Sequence, residues 1–187
     1  QAEVEKEQQV REPALETLER LRQLGVETEP ERLMELAHSP SSSDRTLAAM
    51  LLGNSEQALP VLPELLRDDH REVRKAALLA AGKTRQTDLW EKMVDHLAPP
   101  AFSNAATSAL TLVGEPVLPV LAAAFSPQSR SPLALLRIAW IYGAVGGEKA
   151  TAWLAQRINY SDFLVRRQVL RSLLLCGYRA QNGQSTA

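Results

Sequence analysis

Cysteine is all but absent: Cys176 is the only one among 187 residues. A single thiol closes no internal disulfide, so packing alone must hold the fold, and the composition suits a reducing compartment; a cytoplasmic location is the expectation. Aromatic residues are scarce as well, at 5% of the chain, so leucine and alanine must fill the core. No apolar run approaches the roughly 20 residues that span a bilayer. Nor does the N-terminus show the basic, apolar and small-residue order of a secretion signal. The 21 lysines and arginines nearly cancel the 22 acids, leaving a formal charge of −1. That balance lacks the basic excess of a nucleic-acid binder.

Signatures of chemistry are missing too. His38, His70 and His96 are isolated from one another and none is followed by glutamate, so no metal-binding spacing exists. The corner Asp68-Asp69-His70 has ligand residue types, but three consecutive residues at a helix start do not converge easily on one ion, and capping is the simpler use. There is no Gly-x-Ser-x-Gly elbow and no glycine-rich phosphate loop; "VGG" at 145–147 reads as a helix terminus. Cys176, in "LLLCGY", reads as a small core residue rather than an activated thiol. The expectation is a non-enzymatic chain with no catalytic residue, cofactor or metal.

What the chain does contain is a repeat. Val73-Arg74-x-x-Ala77-Leu78-x-x-Ala81 recurs as Asp44-Arg45-x-x-Ala48-Ala49-x-x-Leu52, Ala105-Ala106-x-x-Ala109-Leu110-x-x-Val113, Leu136-Arg137-x-x-Trp140-Ile141-x-x-Ala144 and Val165-Arg166-x-x-Val169-Leu170-x-x-Leu173. The starts at 44, 73, 105, 136 and 165 are spaced by 29, 32, 31 and 29 residues. Apolar residues at spacings of three and four make one helical stripe, and alanines let a neighbouring helix approach closely. Gly53, Gly82 and Gly114 follow the first three copies at once, where left-handed caps are easiest, and the last two run on to Gly146 and Gly177.

Between these motif helices lie "EQALPVLPELL" (56–66), "TDLWEKMVDHL" (87–97), "EPVLPVLAAAF" (115–125) and "EKATAWLAQRI" (148–158), each apolar at helical spacing. Asp88 with Glu91 has the spacing of a capping pair, and Pro116 suits a first turn. Pro60, Pro63 and Pro119 predict late starts or kinks. Each repeat is thus a helical hairpin. Ahead of the array, residues 12–25 and 28–37 read as an imperfect first hairpin, with Thr28, Glu31 and Pro30 as its start signal, and "SPSSSD" (39–44) as loop and cap. The domain reading is therefore a charged, frayed or disordered extension at 1–11, a repeat domain at 12–180 and a disordered tail at 181–187. Beginning at Gln1 rather than Met, the chain reads as a mature product or a segment of a longer protein.

Hairpins of about 30 residues carrying Asp, then Val-Arg, then Ala-Leu resemble HEAT repeats, most of all the short bacterial variety first associated with phycobilin-lyase subunits. The likeness is strong over 69–82 and 162–173, fair over 44–53 and degraded over 101–114, where alanine replaces the arginine. It implies an all-α, right-handed α-α superhelix of about five or six hairpins whose second helices line a concave face. It also implies a scaffold for a protein or peptide partner. Two other readings follow: a regulatory domain of a larger protein, suggested by the likeness of "LVRRQVLRSLLLCGYRA" to segments fused behind bacterial nucleotide-transporter-like membrane proteins, and a repeat-built enzyme of nucleic-acid repair or chromophore attachment.

Within this frame, Arg45, Arg74, Arg137 and Arg166 occupy one register position in four of five units. Stacked, they would make a ladder for phosphates or acidic groups, or each would pair with a carboxylate nearby, for which Asp69 and Asp162 are well placed; the pairing is the expectation. Trp140 and Trp153 are expected in the core, with Trp90 left open as an aromatic platform. Polar positions on the second helices, Glu91, Lys92, Asp95, Gln156 and Arg157, are the candidate partner-binding residues. An exposed apolar face at Leu15, Leu18 and Leu21, or at Leu170 and Leu174, would point to a missing neighbour.

Overall fold

Proline has no backbone N–H to donate and a φ already suited to a helix, so it opens helices more readily than it continues them. Pro30 opens α1 (Pro30–Ala37) as expected. Ser41 caps α2 (Ser42–Leu52), its hydroxyl accepting the Asp44 N–H. The computed structural model describes residues 29–54, 60–128 and 130–177, and every element among them is a helix. The 12–25 helix, Thr28, Leu59 and the segments 1–11 and 181–187 lie outside the described residues.

Cα packing divides the chain into two compact units, Gln1–Gln86 and Thr87–Ala187. In the first, Pro63 confines α3 to one turn, Leu62–Leu65, the late start that the prolines predict. α4 (Arg71–Thr84) is long, and it packs along α2 while α3 lies against both. Leu52, Val61, Leu65, Val73, Ala77 and Ala81 are buried between them. The small side chains matter here: a Cβ on Gly53 would lie 2.9 Å from the Ala80 Cα, so α2 and α4 meet backbone to backbone.

The second unit continues the alternation. A 3-10 turn, Thr87–Leu89, leads into α5 (Trp90–Asp95), followed by α6 (Ser103–Val113). Pro116 opens a second 3-10 turn, Glu115–Val117, ahead of α7 (Leu118–Ala124), where Pro119 again sits in the first turn. Then come α8 (Pro132–Val145), capped by Ser131, α9 (Gly147–Ala155) and α10 (Phe163–Leu175), capped by Asp162. Motif helices α6, α8 and α10 pack in succession, and α5 lies against α6 and α7. The hairpin alternation is therefore present in both units. The break between them falls after a motif helix, so each compact unit ends on one. No single described helix is long and apolar enough to cross a membrane, and α6 with the segment after it is bent by 109°.

Three local expectations change. Of the glycine caps, Gly53 is right-handed and Gly82 lies inside α4, whose left-handed cap falls on Arg85 at φ 54°. Gly114, Gly146 and Gly177 do adopt positive φ. Asp88 and Glu91 form no capping pair, because a 3-10 turn occupies the start and α5 begins at Trp90 without a side-chain cap.

The third change is one of register. Val73, Ala77, Ala80 and Ala81 on α4, and Val165, Val169, Ser172 and Leu173 on α10, are buried at matching positions. On α8 the same spacing picks out Ala134, Ile138, Ile141 and Tyr142, all at most 2% exposed. Gly143 then falls where Gly53 falls on α2, and a Cβ there would meet Ser172 at 2.6 Å, just as Gly53 meets Ala80. The α8 copy thus starts at Ala134, two residues before Leu136, and Trp140 turns outward to 42% exposure instead of filling the core. Trp90, by contrast, is buried. α8 is apolar on nearly every side, so hydrophobic spacing alone cannot choose its register.

Candidate functional site

The motif arginines are the first place to look, and the structure divides them. Arg45 grips Asp68 with two nitrogens, Nε to Oδ2 at 2.6 Å and Nη2 to Oδ1 at 3.1 Å, while Nη1 donates to the Ser39 and Pro40 carbonyls. The pair is mostly buried, with side chains 15% and 9% exposed. The Arg45 guanidinium holds the Asp68 carboxyl below the usual carboxylate range; burial opposes this, and the His70 N–H reinforces it. Arg166 repeats part of the pattern, donating to the Tyr160 carbonyl six residues back, as Arg45 does to Ser39.

Arg137 differs, as its shifted register requires. It donates to the Leu97 and Ala98 carbonyls just beyond α5. Arg74 is half-buried on α4. The carboxylate partner of Arg45 is Asp68 rather than Asp69, and Asp162 accepts the Leu164 and Val165 N–H groups at the start of α10. The arginines therefore do not form one ladder of equivalent groups. Asp68 and His70 are used in the Arg45 network, and among the described residues no three His, Cys, Asp or Glu side chains cluster to hold a metal.

Two open features lie between the second helices of the second unit. One cleft, about 310 Å³, has Glu91, Val94 and Asp95 of α5 on one wall, Val120 and Ala123 of α7 on the other, and Arg130 beyond. Arg130 donates to Asp95 at 2.5 Å. The next groove, about 520 Å³, runs between α7 and α9. Pro116, Pro119 and Ala122 line one side of it, Tyr142 and Trp153 form an aromatic wall, and the Glu115–Lys149 pair closes the rim at 2.6 Å.

That aromatic wall is built layer on layer. Tyr142 and Trp153 stack with centroids 3.8 Å apart and planes 8° from parallel. The Arg157 guanidinium lies 3.8 Å from the Trp153 centroid. Phe125 meets Trp153 edge-on at 4.9 Å and touches Tyr160 at 5.3 Å. The Tyr142 hydroxyl donates to the Leu118 carbonyl at 2.6 Å, and burial pushes its pKa up to about 12. Burial pulls the Arg157 pKa down, with Tyr142 and Tyr160 opposing; the group stays cationic. Trp153 Nε1 has no acceptor among the described residues, so stacking is what orients the ring.

Of the candidate partner-binding residues, Glu91 and Asp95 share the α5/α7 cleft. Lys92 lies outside it, half-buried. Gln156 is exposed at the end of α9, and Arg157 packs on the aromatic wall of the α7/α9 groove. The residues that the sequence did not single out are Glu115, Lys149, Arg130 and Tyr142. Pro116, Pro119 and Trp153 were conspicuous in the sequence, but nothing in the spacing brings them to one groove.

Cys176 lies half-buried, its thiol 3.9 Å from the Gly143 carbonyl. It lines a shallow cleft with Gly147, Glu148 and Thr151.

No curated protein sequence matches the chain. The family model for HEAT repeats matches residues 30–111, which include α1 to α5 and most of α6. The alternating hairpins, with small residues where α2 meets α4 and where α8 meets α10, are the packing that such repeats require, and over residues 30–111 the chain is similar to HEAT repeats.

Proposed function

We propose that this chain is a non-enzymatic protein-binding module that holds a segment of a protein partner along the α5/α7 cleft and the α7/α9 groove. HEAT repeats generally mediate protein–protein interaction or scaffolding, and HEAT-repeat proteins are usually non-catalytic. The observation that carries the finer reading is the α7/α9 groove, with its two prolines, its stacked Tyr142 and Trp153 and an exposed Glu115–Lys149 pair at the rim. Rigid aromatic area bordered by charge is the usual make-up of a binding hot spot. An exposed ion pair contributes little to folding, so a partner's carboxylate or ammonium exchanges with it at low cost. Glu91, Asp95 and Arg157 extend the same surface, with Lys92 and Gln156 at its margins. The repeat domain is taken to run over 12–180, and the cytoplasmic placement rests on the lone cysteine.

The test is a peptide-display selection on the purified chain, followed by titration of the selected peptides against wild type, Lys149→Glu, Asp95→Arg and Trp153→Leu. Peptides that use the groove lose about tenfold or more on Lys149→Glu or Trp153→Leu. Selected peptides that bind all four proteins equally would remove the reading. Affinity that instead collapses steeply with salt on nucleic acid would replace it.

A further inference from the structure

α8 offers one face to α6 before it and another to α10 after it, and α10 leaves the face that matches the second one bare. On α2, that face carries Ala49, 0% exposed, and Gly53, which meets Ala80 of α4. On α8 the matching residues are Ala139, 0% exposed, and Gly143, which meets Ser172 of α10. On α10 they are Leu170 and Leu174, 46% and 74% exposed, with Phe163 on the same stripe at 61%. Arg167 and Arg171 stand at helical spacing among these three and are exposed. The Arg166 and Arg167 guanidiniums each lie 5.9 Å from the Phe163 ring, and among the described residues none of the three arginines forms an ion pair. From Phe163 onward the sequence contains no acid at all.

We infer that this face of α10 docks an acidic amphipathic helix of a protein partner, one that sets leucine-like side chains against Phe163, Leu170 and Leu174 and carboxylates against Arg167 and Arg171. The fold already uses this side of α2 and α8 to receive a helix, which favours a helix over a lipid surface. Leucines stand where α2 and α8 have alanine and glycine, so the incoming helix sits at ordinary interhelical distance rather than in backbone contact. A second copy presenting the same face would set arginines against arginines, a like-charge juxtaposition that disfavours self-association. The surface is separate from the α7/α9 groove, and either proposal can fail without the other.

The experiment uses two synthetic helical peptides with identical leucine stripes, one flanked by glutamates and one by lysines, titrated by fluorescence anisotropy against the full chain at low ionic strength. The glutamate peptide binds about tenfold or more tightly than the lysine peptide. Arg167→Glu with Arg171→Glu inverts that order, and Leu174→Asp weakens the glutamate peptide about tenfold, while Lys149→Glu leaves it unchanged. All of these side chains are exposed, so unchanged circular dichroism and melting accompany the effects. Equal binding of the two peptides, no binding of either, or an order that survives the double arginine change overturns the inference. So does self-association that Leu174→Asp abolishes, or adsorption to phosphatidylserine vesicles in preference to the peptide.

Discussion

Asp68 shows how much one side chain can carry when it is buried with its partner. Its carboxylate takes two nitrogens of Arg45 and the His70 N–H, so Asp68→Asn leaves a buried guanidinium short of its counter-charge. The expected cost is about 3 kcal/mol, read as a lower midpoint in urea. Because the folded pKa is depressed, this stabilisation is complete above the ordinary carboxylate range near 4 and is lost as pH falls through the lower folded value. The mutant's acid unfolding should therefore be flatter than the wild type's in that window. Tyr142 works in the opposite direction. Its folded pKa of about 12 lies above the ordinary 10.0, so the unfolded chain releases a proton that the folded chain keeps, and stability falls as pH rises between the two. In Tyr142→Phe that alkaline loss should shrink, as followed by ellipticity, at a cost near neutrality of about 1 kcal/mol for the hydrogen bond to Leu118. Arg85 holds φ 54°, where a glycine has no Cβ to strain. Arg85→Gly should raise the midpoint, by up to about 1 kcal/mol.

At the scale of elements, stacking of the motif helices depends on a small residue at the α2/α4 and α8/α10 crossings. Gly143 lies inside α8, where alanine would ordinarily gain about 1 kcal/mol of helix stability. Here its Cβ would stand 2.6 Å from the Ser172 Cβ, so Gly143→Ala should destabilise by about 1–3 kcal/mol instead. Adding Ser172→Gly removes the clash with the Ser172 side chain but leaves the one with its Cα at 2.8 Å, so it should return part of that loss, and a double-mutant cycle with no coupling would contradict the crossing geometry. The same crossing explains the arginines. The motif Arg-x-x-Trp on α8 looks like its sisters in sequence, but the helix is set by where Gly143 can touch Ser172. That contact moves the copy by two residues, sends Arg137 to the end of α5 and turns Trp140 to solvent. The prolines had a simpler effect, shortening α3 and α7 as a missing N–H demands.

Across the whole molecule, each compact unit buries its own apolar residues, so a defect in one should first be felt locally. Gly143→Ala is expected to speed amide exchange in α8 and α10 while α2 and α4 keep their protection, measured by hydrogen exchange under native conditions. The all-helical repeat was legible from the chain alone, because apolar residues three and four apart, recurring every 29 to 32 residues, allow few other burials. So were the proline-shortened starts and a helix cap within 39–44. What the sequence determined by itself was periodicity and conformational preference, which are properties of neighbours along the chain. Which two residues of α8 face α10, which carboxylate Arg45 finds and which prolines and aromatics share a groove depend on contacts between segments tens of residues apart. Only tertiary packing decided those, since steric fit between helices outweighs the weak local preferences that favour one register over another.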